Sequence, residues 1–422
     1  MKIISSVKGM HDLLPKDSII WQQVEYTIKN TLLNYGYEEI RFPIVEKTKL
    51  FNQAIGYNNL VVNKEMYNFY DRNGCSLSLR PEGTASCVRA IIKHGLLYNK
   101  QRLWYHGPMF RYEKPQMGRF RQFHQIGIEV FGYADICIDI ELILLTSRIW
   151  KLLGLSKYLS LEINSLGCLK TRKKYYKELI TFFQKNKLLN NIHDNIINNP
   201  MRLLEKYKTL SILKQAPLIT SYLDNESYNR FLNLQKSLNN MNISYNINPY
   251  LVRGLDYYND TVFEWTTNNL GSQNAVCGGG RYDLLVNNFN CNHSIPAIGC
   301  AIGLERLIIL INKSNVLLKN KFLIDVFLVN VNNKLKNSII SLSEYLRDSI
   351  PSLKLVVDFY CSKISKYRKQ AYQLKTKILV IMGDNTLLSD QLILENLINN
   401  KKEVIKKSYI LSKLLLILFD NN

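Results

Sequence analysis

The chain lacks any pattern that would tie its cysteines together. Eight of them, Cys75, Cys87, Cys137, Cys168, Cys277, Cys291, Cys300 and Cys361, occur without a C-x-x-C pair. Neither a zinc ribbon nor a disulfide framework is therefore indicated. Cys291 and His293 are close in sequence but have no second ligand pair, so they read as a loop thiol and a surface imidazole. No apolar run reaches membrane-spanning length, and Met1-Lys2-Ile3-Ile4-Ser5-Ser6 lacks the hydrophobic stretch of a secretory leader. A soluble, cytoplasmic chain is expected. Acidic residues are scarce beside basic ones, 34 Asp+Glu against 55 Lys+Arg, for a net charge of +21. That balance favours a polyanionic partner such as RNA. Part of it reflects a composition rich in Lys, Asn, Ile and Tyr throughout. With 422 residues the chain can hold two or three domains with sizeable cores.

What is present is a succession of short segments that combine arginine, carboxylate and glycine. The first is Phe110-Arg111-Tyr112-Glu113-Lys114-Pro115-Gln116-Met117-Gly118-Arg119-Phe120-Arg121-Gln122-Phe123-His124-Gln125-Ile126-Gly127-Ile128-Glu129-Val130. It joins a basic loop to a strand over 123–131. The period of two sets His124, Ile126, Ile128 and Val130 on a core face, with Gln125, Gly127 and Glu129 on the other. Gly127 leaves a gap in which a substrate can lie against bare backbone. For this strand alone, an edge with a solvated polar face is the favoured reading, and the segments that follow are what turn it toward a ligand. Residues 102–112 supply a second arm, making a hairpin with a basic tip at 113–121.

Further segments share this chemistry. Arg80-Pro81-Glu82-Gly83-Thr84 places a carboxylate and a hydroxyl ahead of a helix-compatible stretch at 85–93. Glu82 there can hold an ammonium group. Arg253-Gly254-Leu255-Asp256-Tyr257-Tyr258 precedes a strand over 261–265. Cys277-Gly278-Gly279-Gly280-Arg281-Tyr282-Asp283 is a glycine run that lets backbone approach a ligand closely. Gly299-Cys300-Ala301-Ile302-Gly303-Leu304-Glu305-Arg306 runs from an apolar strand into a helix, with Arg306 near a terminus whose dipole favours phosphate.

Together these segments resemble the histidyl-tRNA synthetases, a class II family. Residues 110–129 are similar to its second motif, Gly299 to Arg306 to its third, and the Pro43 region to its first. Residues 253–258 and 278–283 match segments that mark the histidine enzymes, and Lys8-Gly9-Met10-His11-Asp12-Leu13-Leu14-Pro15 also fits. The likeness is clear over about 5–170 and 250–312. It implies an α+β fold: a class II catalytic domain on an antiparallel sheet flanked by helices, with a helical insertion and a C-terminal α/β anticodon-binding domain. The implied division is 1–168 and 241–318 for the catalytic domain, 169–240 for the insertion and 323–422 for the last domain.

The implied reaction joins L-histidine to tRNA(His) through a histidyl-adenylate, with ATP as substrate and Mg²⁺ held largely by its phosphates. No metal site built from protein alone is expected. The resemblance puts Arg111 at the α-phosphate, Glu113 at the nucleotide or Mg²⁺, and Arg306 at the γ-phosphate. Arg253 would bridge the substrate carboxylate and the α-phosphate. Glu82, Thr84 and Gln125 would hold the α-amino group, and Glu129 and Tyr258 the imidazole nitrogens. Tyr257, Tyr282 and Gly299 would wall the pocket, while Gln116, Arg119 and Arg121 would meet the tRNA acceptor end. A homodimer is expected; no membrane or DNA partner is. Lys114 stands where the family commonly has arginine, and Leu284 where it has glycine. Two alternatives remain, an inert synthetase-like regulatory subunit of histidine biosynthesis and an RNA-binding relic. The intact Arg111, Arg253 and Arg306 weigh against the first, and the intact Glu82, Gln125, Glu129 and Tyr258 against the second.

Elsewhere periodicity sets the organisation. A helix with Ile20, Val24, Ile28 and Leu32 on one face is predicted to be capped by Asp17 or Ser18 and ended by Gly36, with a strand through Ile40, Phe42 and Ile44 after it. In the family this pair builds the dimer interface; packing on the chain's own core serves equally well. Residues 169–240 read as helical and basic, either against an acceptor arm or as a spacer. Strands over 326–329, 355–359 and 378–382 with helices over 335–346 and 363–374 form a separate βαβ domain.

Overall fold

The computed structural model describes residues 4–57, 59–186, 200–201, 204, 211–271, 273–289, 294–314, 316, 324–360, 363–383 and 390–419. Cys291, His293, Cys361 and part of the predicted insertion lie outside the described residues. The chain divides into two compact units, Met1–Leu317 and Leu318–Asn422.

The first unit opens with α1 (Pro15–Asn34). It begins earlier than predicted, because proline at the first helical position gives up no hydrogen bond. Ser18 lies inside the first turn, its Oγ donating to the Pro15 carbonyl at 2.8 Å. Val24, Ile28 and Leu32 are fully buried, each worth about 1.5–3 kcal/mol of apolar burial. The strand expected through Ile40, Phe42 and Ile44 is not formed. Only β1 (Glu38–Glu39) pairs, parallel to the later strand at Leu103 and Trp104, and Ile40 adds one bond to the Trp104 carbonyl. Pro43, with no N–H to donate, cannot extend that ladder. Then come β2 (Val45–Lys47), α2 (Thr48–Ile55), β3 (Tyr67–Tyr70) and β4 (Ser76–Leu79), the strands forming a small antiparallel sheet ordered β2-β4-β3.

The main sheet takes in β1 and the strands that follow α3 (Thr84–Lys93). Its long hairpin is β5 (Gln101–Phe110) and β6 (Gln122–Phe131), followed by α4 (Cys137–Leu152), β7 (Ser160–Ser165), α5 (Leu169–Lys185), α6 (Asn225–Asn240), β8 (Tyr245–Ile247), β9 (Asn259–Thr266), β10 (Ala275–Arg281), β11 (Ala297–Gly303) and α7 (Leu304–Lys313). The eight strands run in the order β1-β5-β6-β11-β10-β9-β7-β8, antiparallel except at the two outer pairs. This mixed sheet with flanking helices is the α+β architecture expected. In α5 the buried Thr171, Tyr175, Leu179 and Phe183 recur every four residues, leaving the lysines outside. Arg281 staples β10 to α4. Its guanidinium, 1% exposed, holds the buried Asp139 through Nε at 3.0 and 3.1 Å and through Nη2 at 2.8 Å. Removing one member of such a pair costs about 3–5 kcal/mol.

The second unit is a five-stranded sheet. β12 (Ile324–Asn330) lies between β13 (Leu355–Asp358) and β14 (Thr376–Met382), all parallel, with α8 (Lys336–Ser349) and α9 (Ile364–Gln373) as crossovers. Two strands not read from the sequence, β15 (Gln391–Asn396) and β16 (Lys401–Lys406), continue it antiparallel. The period of two is explicit: Val326, Leu328, Ile378 and Val380 face α8, while Phe327, Val329, Leu379 and Ile381 meet Tyr367 and Ala371 of α9. The apolar tail is α10 (Ile410–Phe419), whose Ile410 and Leu414 are buried in the first of these cores. Among the described residues no helix is long and apolar enough to cross a membrane.

Candidate active site

The β5–β6 hairpin, β9 to β11 and the start of α7 enclose a cleft of about 190 Å³ lined by Arg111, Glu113, Arg119, Phe123, Gln125, Arg253, Glu264, Glu305 and Arg306, among others. Four arginines from three separate segments therefore share one cavity. Arg111 follows β5, donates from Nε to the Pro81 carbonyl at 2.9 Å and lies over the Phe123 ring at 5.4 Å. Arg253 is paired with Glu264, and this carboxylate and Tyr258 keep the guanidinium firmly protonated although burial alone would lower its pKa. Arg306 donates to the carbonyls of Gly118 and Ala275, both at 2.8 Å, and to Gln273 Oε1 at 3.0 Å. Burial, then Arg119 and Arg111, lower its pKa. Positive charge crowded in this way is what a polyphosphate would relieve.

Further along β6 lies a buried polar cluster centred on Glu129, 1% exposed. Thr84 Oγ1 donates to its Oε1 at 2.7 Å, the Tyr105 hydroxyl to the same oxygen at 3.0 Å, and the Tyr282 hydroxyl to Oε2. Burial outweighs these donors and, with Glu82 nearby, lifts the Glu129 pKa to about 8. Burial also pushes the phenols of Tyr105, Tyr257 and Tyr282 far up, so they remain donors. Tyr257 and Tyr258 stand 4.7 Å apart and close the wall against Tyr282 at 5.6 and 6.3 Å. Glu82 accepts the Thr84 and Ala85 N–H groups at 2.7 and 2.8 Å, neutralising the start of α3; burial still raises its pKa.

Several expectations change in three dimensions. The gap at Gly127 is not open to a ligand. Gly127 pairs directly with Tyr105, and a Cβ on it would lie 2.0 Å from Tyr105 Cζ. The same ring covers Gly83, so Tyr105 fills the space beside Gly127 on this face of β6. The glycine run lies in β10, where Gly278 lines the cleft while Gly279 and Gly280 are packed against neighbouring strands. Gly279 abuts the Gly299 carbonyl, Gly280 abuts the Thr261 carbonyl, and the room at Gly278 is taken by the Arg253 guanidinium. Gly299 makes room for the Glu129 carboxylate. Thr84 turns its hydroxyl to Glu129 and does not line the cleft, whereas Gln125 does.

At the hairpin tip, Gln116 and Arg119 close a turn through two backbone bonds, with Gly118 at φ +73°. Arg119 points inward, Nε at 2.5 Å from Glu113 Oε2, and lines the cleft. Arg121 lies 3.9 Å over the Tyr112 ring and donates to the Glu113 carbonyl at 3.2 Å. Gln116 is exposed. Reading by sequence missed Tyr105, Phe123, Glu264 and Glu305. Tyr105 opposite Gly127, and Glu264 opposite Gly278, are cross-strand relations that appear only once register is known. Glu305 had a local signal, an acidic residue in the first turn of a helix next to Arg306.

A family model described as Histidyl-tRNA synthetase matches residues 9–307. The chain is 49% identical over 98% of its length to a histidine--tRNA ligase of Blochmanniella pennsylvanica, strain BPEN, covering 96% of that protein. It is 47% identical over 97% of its length to the histidine--tRNA ligase of Blochmanniella floridana, again covering 96% of the relative. Among solved structures, apo histidyl-tRNA synthetase of S. aureus superposes with a TM-score of 0.80 at 31% identity, covering 98% of this chain and all of that one.

Proposed function

The chain belongs to the histidyl-tRNA synthetase family, and from that membership we propose that its cleft performs the ATP-dependent joining of L-histidine to the 3′ end of tRNA(His). A histidyl-adenylate is the intermediate, and AMP and diphosphate are the other products. The observation that carries the reading is the convergence of Arg111, Arg253 and Arg306 on one cleft, with the Glu129 cluster further along β6.

In the first step the histidine carboxylate attacks the α-phosphate of ATP, so two anions must be brought together and the charge of the pentacoordinate phosphorus stabilised. No general base is required, since a carboxylate is already a nucleophile. Arg111 would fork onto the α-phosphate, with Phe123 beside it offering a face for the base. Arg253, fixed by Glu264, would bridge the carboxylate and the α-phosphate, acting on charge that grows in the transition state. Arg306 would take the γ-phosphate end, and the inward position of Arg119 fits it for the same phosphates. Catalysis is then positioning plus electrostatics.

Glu129 and Tyr258 would receive the two imidazole nitrogens, and Gln125 and Glu82 the α-amino group, with Thr84 acting through Glu129. Tyr257 and Tyr282 wall the pocket, and Gly299 leaves the room in which Glu129 sits. A competitor without ring nitrogens would forgo the bonds to Glu129 and Tyr258, and discrimination of this kind can reach about 10⁴ or more.

Among the described residues no cluster of three or more Asp, Glu, His or Cys could hold a metal ion. The donor set nevertheless suits Mg²⁺, which takes one or two carboxylates together with substrate phosphates, and Glu113, which lines the cleft, would be its carboxylate. When bound, the ion would neutralise phosphate charge. The exposed Gln116, with Arg121, would meet the acceptor end of the tRNA, where a single-stranded terminus invites phosphate and base contacts. The second unit would read the anticodon, α1 and the segment after it would form a homodimer interface, and the reaction would be cytoplasmic. The regulatory-subunit alternative is disfavoured by near-full-length identity to histidine--tRNA ligases.

Histidine-dependent exchange of labelled pyrophosphate into ATP tests the reading. Exchange strictly dependent on histidine is expected, and folded protein without it would refute the enzyme.

A further inference from the structure

Glu305 immediately precedes Arg306 in the first turn of α7, and its carboxylate reaches back to the end of β6. Its Oε1 and Oε2 accept the His124 N–H at 2.8 and 2.9 Å, and Oε1 lies 3.0 Å from His124 Nδ1. The β6–β11 ladder ends at the pair Gly303 and Gln125. His124 falls one residue beyond, where β11 has already turned into helix. Glu305 supplies the acceptor that a longer β11 would have provided. The imidazole of His124 is held on its other side by Trp21 of α1, edge-on with centroids 5.3 Å apart.

The two ends of this contact matter for what flanks them. His124 is bracketed by Phe123 and Gln125, which line the cleft; Glu305 is followed by Arg306, which lines it from the other side. We propose that Glu305 is a positioning residue for adenylate formation, its clamp on His124 setting the separation between the histidine-holding end of β6 and the phosphate-holding start of α7. This rests on the assignment of Gln125 to histidine and Arg306 to ATP. A shift of about 1 Å in such a spacing can cost on the order of 10²-fold in rate. A carboxylate that served only the dipole of α7 would affect the stability of the helix and leave the relation between the substrates alone.

Pyrophosphate-exchange kinetics separate these cases. Arg306→Ala is expected to raise KM for ATP alone and Gln125→Ala KM for histidine alone; loss of that selectivity overturns the assignment and the clamp with it. Glu305→Gln keeps the shape but offers one acceptor oxygen instead of two. It is expected to raise both KM values and lower kcat, each by roughly tenfold. His124→Ala keeps the N–H bonds and loses the ring contact, and is expected to move the same constants together by about threefold. A lowered melting temperature with wild-type kcat and KM values in Glu305→Gln would overturn the clamp while leaving the assignment intact. Should that variant fail to fold, unchanged constants in His124→Ala would overturn it equally.

Discussion

The carboxylate of Glu129 occupies the space that a side chain at position 299 would fill. The two residues face one another across β6 and β11, and a Cβ on Gly299 would lie 1.9 Å from Glu129 Oε2. The same oxygen accepts from Tyr282, so the glycine is what allows the carboxylate to meet its donor.

Gly299→Ala should therefore push Glu129 out of its seat. Overpacking of this kind destabilises by about 1–3 kcal/mol, measurable by chemical denaturation. The KM for histidine in pyrophosphate exchange should rise more than that for ATP, and an unchanged histidine KM would remove Gly299 and Glu129 from the specificity pocket.

The pKa of Glu129, raised by burial to about 8 from an ordinary 4.5, has a definite sign for stability. Folded protein holds its proton more tightly than unfolded protein does between these values. The contribution is thus fully present below about pH 4.5 and is lost as pH rises through about 8. Thermal melting of the ligand-free enzyme from pH 5 to 9 should fall more steeply in the wild type than in Glu129→Gln. Parallel profiles for the two proteins would show that Glu129 does not titrate in this window.

Arg253 is seated on Glu264 beneath Gly278, and its proposed role is to act on charge that develops only as the carboxylate attacks phosphorus. Arg253→Ala should lower kcat for exchange by about 10²–10³-fold. Histidine binding, followed by calorimetry, should change only a few-fold. Gly278→Ala should reproduce part of the defect, because its Cβ would lie 2.3 Å from Arg253 Nη1. Wild-type exchange in Arg253→Ala would end its assignment to the transition state.

Much of the site was readable because its parts are local. Arg111 with Glu113, Arg253 with Tyr257 and Tyr258, and Arg306 at a helix start each sit in one short segment with its own turn or strand signal. The hairpin arms were found within a residue or two, since each is a run of period two. Gly127 was misread for the opposite reason: a glycine in a strand signals a close approach, but not of what. A substrate and the ring of Tyr105 leave the same mark in sequence, and only pairing of β5 with β6 distinguishes them. The strand predicted through Ile40, Phe42 and Ile44 failed for a local reason instead, since Pro43 interrupts the alternation with a residue that has no N–H for a ladder.

By itself the sequence determined the separate pieces and their chemistry: an arginine after a strand, a carboxylate before a helix, glycines where bulk is forbidden, and α/β periodicity near the C-terminus. Tertiary structure alone decided what each glycine admits, which hydroxyls converge on Glu129, that Arg119 turns inward, and that Glu305 reaches back to His124. The physical reason is that propensity and period act within a strand or a helix, over neighbours along the chain. Register between strands joins residues tens to hundreds of positions apart, and its energy belongs to no single segment.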